Sequence, residues 1–195
     1  MWFSELLVVY AAHMVGYWAA VAFTVVQYGV SQQWSFECAR VVLRNQVLYT
    51  PLVAAVPLWF PLKPLPGVWN LVWQAPVAVL LTDALFYPLH RLVHHPRLYS
   101  FHATHHTWTR PIGMSALYAD RLEHCVVNVL PPLVAGMLAR MDVPVLALWL
   151  AVASANTVMA HAVEGQHSDH HKVRNKNYGI GFYLVDRAMG TLKVD

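Results

Sequence analysis

The run from Leu6 to Tyr28 leaves this chain few ways to fold. It is 23 residues long and apolar, with His13 and Gln27 as its strongly polar members. About 20 helical residues cross the hydrocarbon core of a bilayer. Further apolar stretches follow at Val47–Leu62, Val68–Leu89, Cys125–Ala139 and Val143–Ala160. The chain is 57% hydrophobic and 12% charged, well away from the roughly 45–50% and 25% of soluble domains. Eight Trp and nine Tyr fit aromatic belts at two membrane interfaces. The expected fold class is therefore all-α and integral to a membrane.

The opening MWFSELL carries no positive charge and no small-residue cleavage site, so the first run reads as a retained span. The second holds Pro51, Pro57 and Pro61 and is expected to be short and kinked. Residues 63–67, KPLPG, read as a turn. The runs at 125–139 and 143–160 are near or below spanning length, and the expectation is a short hairpin that enters the membrane and returns. This makes about four transmembrane helices, the hairpin included. Residues 1–82 would form N-terminal spans and 83–195 a catalytic region containing the hairpin. Charge fixes the orientation. The segments 31–46, 90–124 and 161–195 carry 11 of the 13 Lys and Arg, leaving Lys63 and Arg140 on the other side. By the positive-inside rule those three segments are cytoplasmic. A net charge of +3 without a concentrated basic run gives no reason to expect a nucleic-acid partner.

Two short stretches within these segments hold ten of the twelve histidines: HRLVHHPRLYSFHATHH from His90 and HAVEGQHSDHH from His161. Each contains a His-x-x-His-His box, namely His102, His105, His106 and His167, His170, His171. Residues i, i+3 and i+4 share a helix face, so each box is expected to aim three imidazoles at one point. His90 and His94 add a four-residue pair; His95 is the alternative partner, and helix geometry favours His94. Asp83 lies two turns below His90 and is expected to accept an imidazole N–H or balance metal charge. His90, His94, His102, His105, His106, His161, His167, His170 and His171 are too many for one ion and suit two, with positions left open. Cys38 and Cys125 match no CxxC spacing, which leaves a disulfide framework or thiolate zinc site without support. His13 reads as a packed residue and His124 as interfacial. Glu123, Asp169 and Asp186 read as unranked supporting carboxylates, and Trp108, Ile112, Met114 and Tyr118 as a lipid entrance or interfacial anchors.

The order HRLVH, HATHH, HAVEGQHSDHH, NKNYG and DRAMGT resembles the fatty acid hydroxylase superfamily over about Asp83 to Leu192. These are integral-membrane di-iron oxygenases, among them sterol desaturases and 4-methylsterol oxidases. The resemblance implies that the nine histidines hold two Fe ions. It also implies that O2 is a co-substrate and that a sterol or fatty-acyl lipid is hydroxylated or oxidised stepwise. Electrons would come from an external donor, cytochrome b5 with its reductase or a ferredoxin, docked near Lys172, Arg174 and Lys176. Asn156, just before His161, is a further candidate for a supporting contact. Desaturation on the same centre is an alternative outcome, and in a eukaryote the compartment would be the endoplasmic reticulum. From another class, a histidine-rich metal transporter would place its histidines within spans or in disordered runs, whereas these stand beyond span ends.

Overall fold

A computed structural model describes residues 3–60 and 62–193. The opening Met1 and Trp2 and the expected kink at Pro61 lie outside the described residues. Helix α1 runs Phe3–Tyr28. Helix α2, Phe36–Leu48, continues through two short helical pieces, Thr50–Ala54 and Val56–Trp59. Helix α3 is Leu71–Val93 and carries Pro76 and Pro88 within it. A π-helical turn, His124–Val129, leads into α4, Leu130–Leu138. Helix α5 is Val143–Ala162, α6 is Gln166–Val173 and α7 is Leu184–Ala188. No strand occurs among the described residues. Among the described residues, four helices are long and apolar enough to cross a membrane: Phe3–Tyr28, Phe36–Trp59, Leu71–Val93 and Val143–Ala162. The expected all-α integral membrane fold is the fold observed.

Two spans differ from expectation in detail. The second begins at Phe36, inside the stretch taken as a polar cytoplasmic segment. Several of its polar side chains bond within the protein, while Arg40 and Arg44 stay exposed. Asn45 donates to the Ala119 carbonyl at 2.8 Å, Trp18 donates to Gln46 at 2.8 Å and the Tyr118 hydroxyl donates to Glu37 at 3.0 Å. The Ser35 hydroxyl caps its first turn through the Cys38 N–H. In the hairpin, only α4 is short. Helix α5 reaches spanning length and ends one residue beyond His161. Its start is fixed by Asp142, which accepts from the Val145 N–H, and by Pro144 in the first turn.

Helices α1 and α5 pack back to back. A Cβ on Gly16 would fall 2.2 Å from the Ala151 carbonyl oxygen, so the two backbones approach as only a glycine allows, in the manner of small-residue contacts between membrane helices. At one end of the bundle, Arg140 donates to the Lys63 carbonyl, while the Arg140 carbonyl accepts from Leu65 and Gln74. The other end carries every histidine of the two boxes. The hairpin thus returns His161 to the end where α3 delivers His90.

Candidate metal centre

The nine histidines converge in two groups whose ligand atoms lie within 4.8 Å of one another. His90, His94, His102, His106 and His170 form the first; His105, His161, His167 and His171 form the second. All are buried except His94, which is half-buried. His95 is outside both groups and accepts from the Arg97 N–H. Contrary to expectation, neither box aims at a single point. The i,i+4 pairs His90/His94, His102/His106 and His167/His171 each share a group, while His105 and His170, one position before the last, cross to the other. Adjacent helical residues point about 100° apart, so the His-His doublets must serve two centres. In the first box the chain is not one helix: a turn at Ala103–Thr104 separates the helical turn Tyr99–His102 from the 3₁₀ turn His105–Thr107.

The hydrogen bonds fix the tautomers of five of these rings. Nδ1 of His90, His161, His167, His170 and His171 meets the carbonyls of Tyr178 (2.6 Å), Thr157 (2.7 Å), Gly179 (3.0 Å), Lys176 (2.7 Å) and Trp108 (2.9 Å). A carbonyl only accepts, so Nδ1 carries the proton and a neutral ring leaves Nε2 a bare lone pair. Three of them face Nε2 of other rings, His90–His102 at 3.1 Å, His94–His170 at 3.0 Å, His106–His170 at 3.2 Å and His105–His161 at 3.3 Å, and His94 faces His102 at 3.0 Å. Nε2 of His167 and His171 is buried with no partner among the described residues. Converging lone pairs repel unless a cation sits between them. A metal–nitrogen bond of about 2.1 Å puts neighbouring ligands about 3.0 Å apart at right angles. The residues therefore fit two metal ions.

Ionisation points the same way. Burial lowers the pKa of His94, with help from Arg174, and of His167, to about 4 in each case. Burial and neighbouring histidines take His102 to about 2 and hold His105, His106, His170 and His171 well below the ordinary imidazole value. Neutral imidazole is the ligating form. Glu123, buried, meets His102 Nδ1 at 2.7 Å, and its own pKa is pushed well up by burial. A cation on His102 Nε2 would stabilise that carboxylate.

Beside the histidines lies a cavity of about 230 Å³ lined by Val79, Thr82, Asp83, Phe86, Asn128, Trp149, Val152, Asn156 and Phe182 among others. Phe86, Asn128, Thr157 and Ile180 also line a small void of about 10 Å³ touching His90, His102, His105, His161 and His167. They form a neck between an apolar cavity and both histidine groups. Val152 on α5 and Phe182 beyond it are more than half exposed, at the flank of two membrane helices.

The sequence model of the fatty acid hydroxylase family matches residues 75–191, which include all nine histidines. The chain belongs to the fatty acid hydroxylase family. It is 34% identical over 132 residues to fatty acid hydroxylase domain-containing protein 2 of Homo sapiens, covering 63% of this chain and 39% of that protein. A fatty acid hydroxylase of Mycosarcoma maydis is 31% identical over 159 residues, 76% of this chain and 41% of the relative. A methylsterol monooxygenase of Aspergillus fumigatus is 31% identical over 195 residues, 83% and 62%. The chain thus spans about two fifths of the length of the first two. No solved structure matches it.

In this fatty acid hydroxylase family member the remaining candidates divide. Asp83 accepts from the Val185 N–H at 2.9 Å and not, as expected, from an imidazole. Asn156 donates to the Ile180 carbonyl at 2.9 Å. Both pin the segment that follows α6 and line the cavity. The carboxylate that bears on both groups is Asp186, unranked on sequence alone. It accepts from Tyr178 N (2.9 Å), Gly179 N (2.6 Å) and Thr191 Oγ1 (2.8 Å), fixing the two carbonyls that receive His90 and His167. A Cβ on Gly179 would come within 3.0 Å of both Asp186 and Asp83, so the backbone must pass between them unsubstituted. Asp169 pairs only with exposed Lys172. His124 is neither interfacial nor a ligand: it is fully buried and bonded to Thr50 at 2.8 Å. His13 is packed and bonded to Ser154. Met114 and Tyr118, read as a lipid entrance or interfacial anchors, lie in the core around Tyr17 and Cys38, with Trp108 and Ile112 packed against it.

Proposed function

We propose that this chain is a di-iron oxygenase that hydroxylates, or oxidises stepwise, a sterol or fatty-acyl lipid drawn from the membrane. The observation that carries this reading is the convergence of nine neutral imidazoles into one group of five and one of four, at the inner end of an apolar cavity. Two iron ions held there would supply activation of O2 and attack on an unactivated C–H bond. The protein's part is to hold and to exclude. Backbone carbonyls of Tyr178, Lys176 and Gly179 fix ring orientation, Glu123 balances charge, and Phe86 and Ile180 at the neck keep bulk water from the reacting carbon. The family membership and the names of the fungal relatives support a lipid substrate. Electrons come from a separate donor, cytochrome b5 with its reductase or a ferredoxin, on the cytoplasmic face near Lys172, Arg174 and Lys176, where opposite charge favours docking. In a eukaryotic host the compartment would be the endoplasmic reticulum.

The test is lipid analysis of cells expressing the chain under ¹⁸O2, beside cells expressing His105→Ala or His170→Ala. A new lipid carrying one ¹⁸O atom, absent from both variants, supports hydroxylation. A new double bond without ¹⁸O would assign a desaturase instead, and no oxygen-dependent product, or equal product from the variants, would refute the proposal.

A further inference from the structure

The neck between cavity and histidines carries an amide, Asn128, that makes no hydrogen bond through its Nδ2 among the described residues; Thr82 Oγ1 and Asp83 Oδ1 in the cavity wall are likewise unpartnered. Asn128 lines both the cavity and the small void against the histidines, and its Nδ2 is buried. The other polar side chain at the neck is occupied, since the Thr157 hydroxyl donates to the Ala153 carbonyl at 2.9 Å, and Phe86 and Ile180 bring no polar side chain. A buried N–H without an acceptor costs about 1–3 kcal/mol, so an oxygen that enters the neck gains a donor there.

The local backbone adds a second observation. Asn128 stands on the π-helical turn His124–Val129. Such turns are rare and concentrate at functional sites, because the extra residue rotates a side chain out of the register an α-helix would impose. Upstream, the Glu123 carboxylate meets the ring of His102; downstream, α4 packs against α3. The π turn therefore sets Asn128 between the supporting carboxylate and the apolar cavity.

We infer that Asn128 is a specificity-determining residue, whose Nδ2–H donates to an oxygen substituent on the lipid. The void holds about one water-sized group, so this oxygen lies within a bond or two of the carbon presented to the histidines. The preferred ligand is an apolar lipid with a hydroxyl or carbonyl beside its reacting carbon, not a plain hydrocarbon segment. The inference rests on the oxygenase reading for the word substrate, but lipid binding tests it independently of turnover.

The experiment uses the full chain, metal-loaded, in nanodiscs. Binding of cholesterol, its 3-ketone and cholestane is measured, and likewise of octadecan-1-ol and octadecane, so that the sterol and long-chain arms report separately. Oxygen-bearing lipids should bind about five- to a hundredfold more tightly than the matching hydrocarbon in at least one arm. Asn128→Leu should bring that ratio close to one while hydrocarbon affinity persists. Asn128→Asp, which keeps the volume but offers only an acceptor, should retain the alcohol and lose the ketone, and it reads independently if the leucine variant fails to fold. Equal affinity for alcohol and hydrocarbon in both arms, no lipid binding at all, or an unchanged ratio in Asn128→Leu would overturn the inference. Discriminating binding without any oxidised product would instead count against the oxygenase reading.

Discussion

Replacing Asp186 with Asn should weaken both metal positions at once, although Asp186 touches no histidine. Its two oxygens accept three hydrogen bonds at 2.6–2.9 Å in a fully buried position. An amide keeps one oxygen, which can still serve Tyr178 N and Thr191, and turns an NH2 toward the Gly179 N–H. The lost bond was made to a charged acceptor, worth roughly 1.5–3 kcal/mol, and two donors now face each other; the cost is about 2–4 kcal/mol. Relief requires the 178–179 backbone to move, and its carbonyls hold His90 of the five-ligand group and His167 of the four-ligand group. Losing an outer partner of a metal ligand typically costs 10- to 100-fold in metal affinity, so both ions should bind about 10- to 100-fold more weakly. Anaerobic competition against a chromogenic chelator, with iron counted by mass spectrometry, measures this. Asp169→Asn, which alters only an exposed pair with Lys172, is the control and should change nothing. Unchanged affinity in Asp186→Asn, or weakening at one position alone, would refute the idea that one carboxylate supports both groups.

Other perturbations follow from the same geometry. Gly16→Val should lower the thermal midpoint and the folded yield in detergent, because its Cβ enters the Ala151 backbone; an unaltered midpoint would contradict the close α1–α5 contact. Ile180→Trp should plug the neck and abolish lipid oxidation with both metal ions still bound, and full activity would disqualify the cavity as the substrate route. Metal-free protein should lose stability on acidification. His94 and His167 titrate at about 4 when folded against about 6.5 unfolded, so between those values the unfolded chain holds more protons. Their stabilising contribution is complete above pH 6.5 and falls as pH drops toward 4, and a midpoint that stays level or rises from pH 7 to 5 would contradict it.

Much of this molecule is legible in its sequence, and the exceptions have physical causes. The apolar runs mark the spans because burial in lipid demands them, and the basic residues Lys63 and Arg140 do meet at the end opposite the histidines. Polarity early in the second span does not mean water, because Glu37, Asn45 and Gln46 find partners inside the protein. The histidine spacing carries more than a single aiming point: four-residue pairs share a centre and doublets divide between centres, which follows from 100° per residue. Asp186 and Glu123 escaped ranking because their importance lies in long-range contacts, to residues 178–179 and to His102, that no local pattern announces. Asn128 gave no signal at all, being one amide in an apolar run whose backbone takes an extra residue per turn.

The most direct test is the count of iron bound per chain after anaerobic loading and removal of loosely held metal. The arrangement of five and four histidines predicts two ions per chain, with His170→Ala and His105→Ala each weakening a different one. A stoichiometry of one or none in folded protein, or two ions retained at full affinity in both variants, would contradict it.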